Sequence, residues 1–239
     1  MRRARLLTGM VCLGTLASAT VAATPADAVN AAQTTLVSPN PADFTPHVMN
    51  GSVDAITQIG SRIVAAGTFT RVRQTLNGPD IVRNHIFAFD ATTGAIDTSF
   101  NPNLSGSANS LDTDGTYVYV GGSFTSVSGQ SATKRVARLT ATGTLVPGLP
   151  VPNKAVNEVV VRGGRLYLGG GFTRVGSTAR ASLAALDTST GALLNAVNVG
   201  FAGTHNGGTT TIVRMDVSPD GSKLVAVGNF LTAGGQPRR

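Results

Sequence analysis

The 239-residue chain has no tryptophan, one cysteine (Cys12), one glutamate (Glu158) and three histidines. Each shortage closes off a class of chemistry. Cys12 sits in the first apolar run, so nothing after it can form an internal disulfide, and stability must come from core packing and strand pairing. His47, His85 and His205 stand in unlike contexts, without the H-x-x-H or H-E-x-x-H spacing of a zinc site. No G-x-S-x-G nucleophile elbow is present. Asp112-Thr113-Asp114-Gly115 opens like a calcium loop but runs on into 116–120 with no later glutamate, so a hairpin turn is the better reading. The glycine-rich stretch 204–211 has neither a lysine nor a following helix to hold phosphate. No cofactor and no metal are expected. The formal charge of +7 is spread as single residues, Arg62, Arg71, Arg83, Arg138 and Arg165 among them. Without a basic cluster interleaved with aromatics, no nucleic-acid partner is expected.

What is present begins with a segment to set aside. Arg2, Arg3 and Arg5, the apolar stretch 6–22 and the site Ala26-Asp27-Ala28 form the three parts of a secretory signal peptide. Gly9, Gly14, Thr15, Ser18 and Thr20 break the apolar run, unlike a membrane anchor of about 20 apolar residues. Export with cleavage after Ala28 is therefore expected, giving a secreted, extracellular protein with no stable membrane span afterwards. Beyond it, 29 glycines in the chain, abundant Thr and Val and the lack of any 3.6-residue apolar stripe point to an all-β fold.

The heptad GGSFTSV (121–127) recurs as AGTFTRV (66–72), GGGFTRV (169–175) and VGNFLTA (227–233). It belongs to a longer unit. After a signal peptide (1–28) and a lead-in (29–52), the repeats span 53–107, 108–155 and 156–211, with a partial copy at 212–239. Phe124 to Gly143 and Phe172 to Gly191 are both 19 residues apart, while Phe69 to Gly94 are 25 apart because of a polar insertion within 73–84. Each unit divides into short β runs separated by turn signals: TDGT, RGGR or PDGS after the first, and a T-G turn after the third. Four antiparallel strands in about 45 to 55 residues is the blade of a β-propeller, here about three and a half blades of an incomplete ring. Further blades or domains C-terminal to these residues are expected. Phe69, Phe124, Phe172 and Phe230 are expected to pack between blades. Asp90 and Asp187 are expected to cap turns by accepting backbone N–H bonds, and Gly94, Gly143 and Gly191 to supply the turn glycines. Position two of the first strand carries Asp54, Asn109 and Asn157, which are candidates to line a central channel or to tie strands by local hydrogen bonds.

Tyr119 to Val127 and Leu168 to Val175, with Phe87 to Ile96 and Leu183 to Leu193, resemble the motifs of secreted actinobacterial β-propeller proteins that carry delta-60-type repeats. The resemblance covers roughly 53–239 and implies a secreted propeller without a settled activity or catalytic residues. A-F-D-A-T-T-G-A (88–95) and A-L-D-T-S-T-G-A (185–192) are also similar to the repeat motif of quinoprotein dehydrogenase propellers. This chain lacks the tryptophan that closes that motif, and the cysteine pair and calcium-ligand cluster expected around a quinone.

Two function classes follow. One is a secreted non-catalytic binding or structural module contacting an extracellular glycan, peptide or protein through the loops 73–84 and 202–210. The alternative is a fragment of a propeller enzyme: a quinoprotein-like dehydrogenase, a lyase or a glycan-active hydrolase. The signal-peptide reading predicts that N-terminal sequencing of the protein recovered from culture medium starts at Val29. Retention of Met1 on a cell-associated product would overturn it.

Overall fold

The computed structural model describes residues 44–238; the expected signal peptide, Cys12 and most of the lead-in lie outside them. The described residues contain strands, turns and no helix. Blade one comprises Val53–Ile59, Arg62–Gly67 and Ile86–Asp90; blade two Ala108–Thr113, Tyr117–Gly122, Val136–Thr140 and Leu145–Val146; blade three Val156–Arg162, Arg165–Gly170 and Leu183–Asp187; and blade four Thr211–Val217 with Leu224–Asn229. Within every blade, neighbouring strands are antiparallel. Consecutive first strands contact one another along the inner side, and no ring closes among the described residues.

The fourth strand is slight. It is two residues long in blade two, and in blades one and three it shrinks to the single bridges Phe89↔Ile96 and Leu186↔Leu193. The length is used elsewhere. The segment after each heptad folds back as a small hairpin and pairs with the connection that enters the blade. His47–Val48 pairs with Val72–Arg73, and Phe201–Ala202 with Thr232–Ala233, while single bridges join Leu104 to Val127 and Pro152 to Val175. The insertion within 73–84 is thus the tip of a hairpin formed by Arg71–Arg73 and Ile81–Val82.

Strand alternation explains how the blades stack. Successive side chains point to opposite faces, and the blades are apolar on both: Val118 and Val120 join a cluster with Val64, Ala66 and Ile86 of blade one, whereas Tyr119 between them joins Val156, Val159 and Leu168 of blade three. A third cluster joins Tyr167, Leu183 and Ala185 to Ile212, Met215 and Phe230 of blade four. The heptad phenylalanines are all buried, and Phe69 meets Phe87 edge-on at 5.4 Å between ring centres.

The rest of the heptad is explained by backbone geometry. Each first strand carries a β-bulge near its start, between Val53/Ala55, Ala108/Ser110, Val156/Glu158 and Ile212/Arg214: the second residue in blades one to three and the third, Val213, in blade four. The bulge drives a carbonyl onto the glycine of the second strand. A Cβ placed on Gly67, Gly122, Gly170 or Gly228 would lie 2.0, 2.2, 2.4 or 2.0 Å from the carbonyl oxygen of Ser52, Ser107, Ala155 or Thr211. In blades one to three, the same glycine N–H and the heptad phenylalanine carbonyl grip one left-handed residue that opens the third strand. Gly122 donates to the Arg135 carbonyl and the Arg135 N–H donates to the Phe124 carbonyl; His85 and Ser182 are held alike, and all three have φ of 67°.

Gly122→Ala is therefore expected to lower unfolding free energy by more than about 2 kcal/mol in urea titration, because the obstructing atom is main chain and cannot turn aside. Ser123→Ala next to it, on the surface, is expected to change it by less than about 0.5 kcal/mol. Equal, small effects would refute the close-contact account.

Candidate functional site

The bulge residue of each first strand points inward, so Asp54, Asn109, Asn157 and Val213 converge. Asp54, Asn109 and Asn157 line one open depression of about 330 Å³, together with Val213 and Arg214 of blade four. Two of the three side chains are engaged there with the next blade. The Asn109 amide donates to the Val156 carbonyl at 3.0 Å, and the Asn157 amide donates to the Ile212 carbonyl at 2.8 Å and to Thr211 Oγ1 at 3.1 Å. Asp54 cannot donate; it accepts from the Ser52 hydroxyl at 2.7 Å.

A second polar row lies one residue further along, at positions that the sequence reading did not single out. The buried Ser110 hydroxyl donates to Glu158 Oε1 at 2.6 Å and accepts the Val159 N–H at 3.1 Å. Glu158 Oε2 stands 3.5 Å from Arg214 Nε. Two residues on from Ser110, Asp112 Oδ2 accepts the Val161 N–H at 2.6 Å. Burial holds the Glu158 carboxyl above the ordinary glutamate range; the Ser110 bond and Arg214 oppose that, and the Asp112 and Asp216 charges add to it. The signal was present in the repeat alignment. Ala55, Ser110, Glu158 and Arg214 share one position, and serine, carboxylate and guanidinium in consecutive copies form a bonded series. Periodicity alone does not say that this position faces the neighbouring blade.

The turn residues lie away from this depression. Asp90 Oδ1 accepts the Thr92 and Thr93 N–H groups and the Thr93 hydroxyl, and Asp187 Oδ1 does the same with Ser189 and Thr190. Hydrogen bonds from the Ser189 hydroxyl and the Thr190 N–H and hydroxyl hold the Asp187 carboxyl down at about 2. Gly94, Gly143 and Gly191 adopt φ of 71°, 83° and 74° and donate to the carbonyls of Asp90, Thr140 and Asp187. His85 Nδ1 lies 3.3 Å from the Gly67 carbonyl, and the His205 backbone bonds to Asn229 Oδ1. Among the described residues, no three of His, Cys, Asp and Glu are grouped to hold a metal ion.

A β-propeller family, described as a domain of unknown function (DUF5122), matches residues 112–145, from the end of blade two's first strand to its fourth. The chain is a β-propeller repeat protein. No curated protein matches it. Among solved structures it is similar to the computationally designed Ika4 protein, at 14% identity and a TM-score of 0.44, over 74% of this chain and 92% of that one. It is also similar to the computationally designed Ika8 protein, with the same identity and score, over 74% of this chain and 46% of that one.

Because the raised Glu158 pKa favours the protonated form in the folded state, its contribution to stability is lost as pH rises through that value. The melting temperature of Glu158→Gln minus that of wild type is therefore expected to grow between about pH 4 and about pH 7. A difference that shrinks over that range would show that ionised Glu158 is a net stabiliser through Arg214.

Proposed function

We propose that the protein is an exported, non-catalytic β-propeller that binds an extracellular glycan, peptide or protein through its loops, with the inner row serving the fold. The observation that carries this reading is the commitment of the inner polar groups. Asn109, Asn157, Ser110 and Asp112 are bonded to main-chain atoms of the following blade, and Glu158 has a partner at each oxygen. General acid–base work needs a side chain poised to exchange a proton with substrate, and these are occupied. Export rests on the N-terminal segment and on the resemblance to secreted actinobacterial propellers with delta-60-type repeats.

The loops differ from blade to blade, as a specificity surface on a repeated scaffold does. The tip within 73–84 is braced. Asp80 accepts from Arg73 at 2.6 Å and from Arg71 at 3.0 Å, while Gln74 spans the Gly94 carbonyl and the Ile96 N–H. Leu76 and Val82 project from that support with 60% and 63% of their surface exposed. At 202–210, Asn229 ties the loop by accepting the His205 N–H and donating to the Thr209 carbonyl. Braced loops with exposed apolar tips lose little entropy on binding.

The test is a glycan and peptide array probed with the exported protein, followed by titration of the strongest ligand. Replacing 74–80 by the shorter blade-two connection is expected to weaken binding by about tenfold or more, equivalent to about 1.4 kcal/mol. Asp54→Asn is expected to leave it unchanged. Loss of binding in Asp54→Asn with retention in the loop variant would move the site to the channel and overturn the proposal.

A further inference from the structure

The dipeptide Asn-Gly occurs three times in the chain, at Asn50-Gly51, Asn77-Gly78 and Asn206-Gly207. An asparagine side chain is most open there to attack by its own main chain, because glycine has no Cβ to hinder the approach and takes up the required dihedrals freely. Three copies in one fold act as mutual controls: the covalent chemistry is the same and the surroundings differ.

Asn50 is locked. Its Oδ1 accepts the Thr70 N–H at 3.0 Å and the Arg71 N–H at 3.1 Å, and its Nδ2 donates to Thr70 Oγ1 at 2.8 Å. In blade three Asn153 makes the same bonds to Thr173 and Arg174, so this amide is a repeated cap on the residues that follow the heptad phenylalanine. Gly51 is equally confined, since a Cβ there would lie 2.7 Å from Thr68 Oγ1 and 2.8 Å from the Phe69 nitrogen. Asn77 is exposed at the tip within 73–84, but the nitrogen beside it is engaged: the Gly78 N–H donates to the Thr75 carbonyl at 2.9 Å.

Asn206 has neither restraint. It is exposed in the loop 202–210, and two glycines follow it, the first with φ of 72° and no atom within 4 Å of where a Cβ would stand. The loop is tied on either side to Asn229, through the His205 N–H and the Thr209 carbonyl. Between those ties Asn206, Gly207 and Gly208 form no hydrogen bond among the described residues. Nucleophile and amide are thus both free, on a short arch whose ends are held.

We infer that Asn206 is a self-modification site, at which the Gly207 nitrogen closes on the asparagine side chain and a carboxylate results. The Gly207 nitrogen gives its proton to solvent base and bonds to Asn206 Cγ; the Cγ–Nδ2 bond breaks, and Nδ2 takes a proton from water and leaves as ammonia. One water molecule then opens the cyclic succinimide at either carbonyl, leaving aspartate or isoaspartate at position 206. Nothing is oxidised or reduced, and water is the only co-reactant. The product carries a negative charge where the amide was neutral, and in isoaspartate the main chain gains a carbon between the two ties to Asn229. That the change alters ligand binding rests on the function proposed for this loop; the chemistry does not.

The experiment incubates the full chain at mildly alkaline pH, folded and, in parallel, unfolded in urea. Tryptic peptides are followed by mass spectrometry, and an isoaspartate methyltransferase assay separates the two products. Cleavage after lysine and arginine puts Asn77 in peptide 74–83, Asn206 in peptide 181–214 and Asn50 in the peptide that ends at Arg62. In the folded protein, conversion at Asn206 is expected to be the fastest and to exceed that at Asn50 by about tenfold or more, because reaction at Asn50 requires local opening that breaks its hydrogen bonds. In urea the three rates are expected to converge. Conversion at Asn206 no faster than at Asn50 in the folded protein, or the same spread of rates in urea, would overturn the proposal. The readout is mass, so the result stands apart from whether the loop binds a ligand.

Discussion

The contact on which the blades depend is a carbonyl oxygen resting against a glycine. The first strand of each blade bulges near its start, and the oxygen of the residue two before the bulge occupies the space where a side chain on the second strand would begin. From that contact the other features follow. The bulge residue is turned inward, the second strand is brought close enough for its glycine N–H to hold the residue that opens the third strand, and the phenylalanine two positions later presents its carbonyl to the same residue while its ring fills the core. One steric constraint thus sets the inner lining, the blade width and the start of the third strand.

Much of this was legible in the sequence, and the limits of legibility are physical. The heptad and the T-G turns report local conformations, and local conformations have residue preferences: glycine for close approach or positive φ, aspartate for a turn whose N–H groups need an acceptor. Asp54, Asn109 and Asn157 share one repeat position, which made them candidates either to line a channel or to tie strands, and repetition alone does not choose between the two. The small hairpins and the slight fourth strand were not legible, because strands of two residues, such as Leu145–Val146 and Thr178–Ala179, carry too few alternations to register as a pattern. His85, Arg135 and Ser182 hold φ of 67° with no glycine to announce it, since the grip from both sides compensates the strain.

The inner wall illustrates how a polar row can look like a site and serve as a seam. Amides and a carboxylate in one depression, with a hydroxyl and further carboxylates in the row beside it, have the composition of a catalytic cluster, yet all but Asp54 reach across to the neighbouring blade. Glu158 is the exception in degree: half-buried and raised in pKa, it is held by Ser110 on one side and Arg214 on the other. It joins three blades through three different side chains, where Asn109 and Asn157 join two blades each.

Both amide clamps address the main chain of the following blade, and only Asn157 adds a side-chain partner there, Thr211 Oγ1. Val156 and Ile212 are recognised through their carbonyls, which every amino acid possesses. A blade can therefore change its sequence on the inner strand without a compensating change in its neighbour, and a duplicated blade meets a ready-made partner wherever it is inserted. The same indifference means that the clamps do not count. Ring size in such a protein is an outcome of how many copies the gene carries and how their apolar faces taper, and copy number can drift while each seam remains intact.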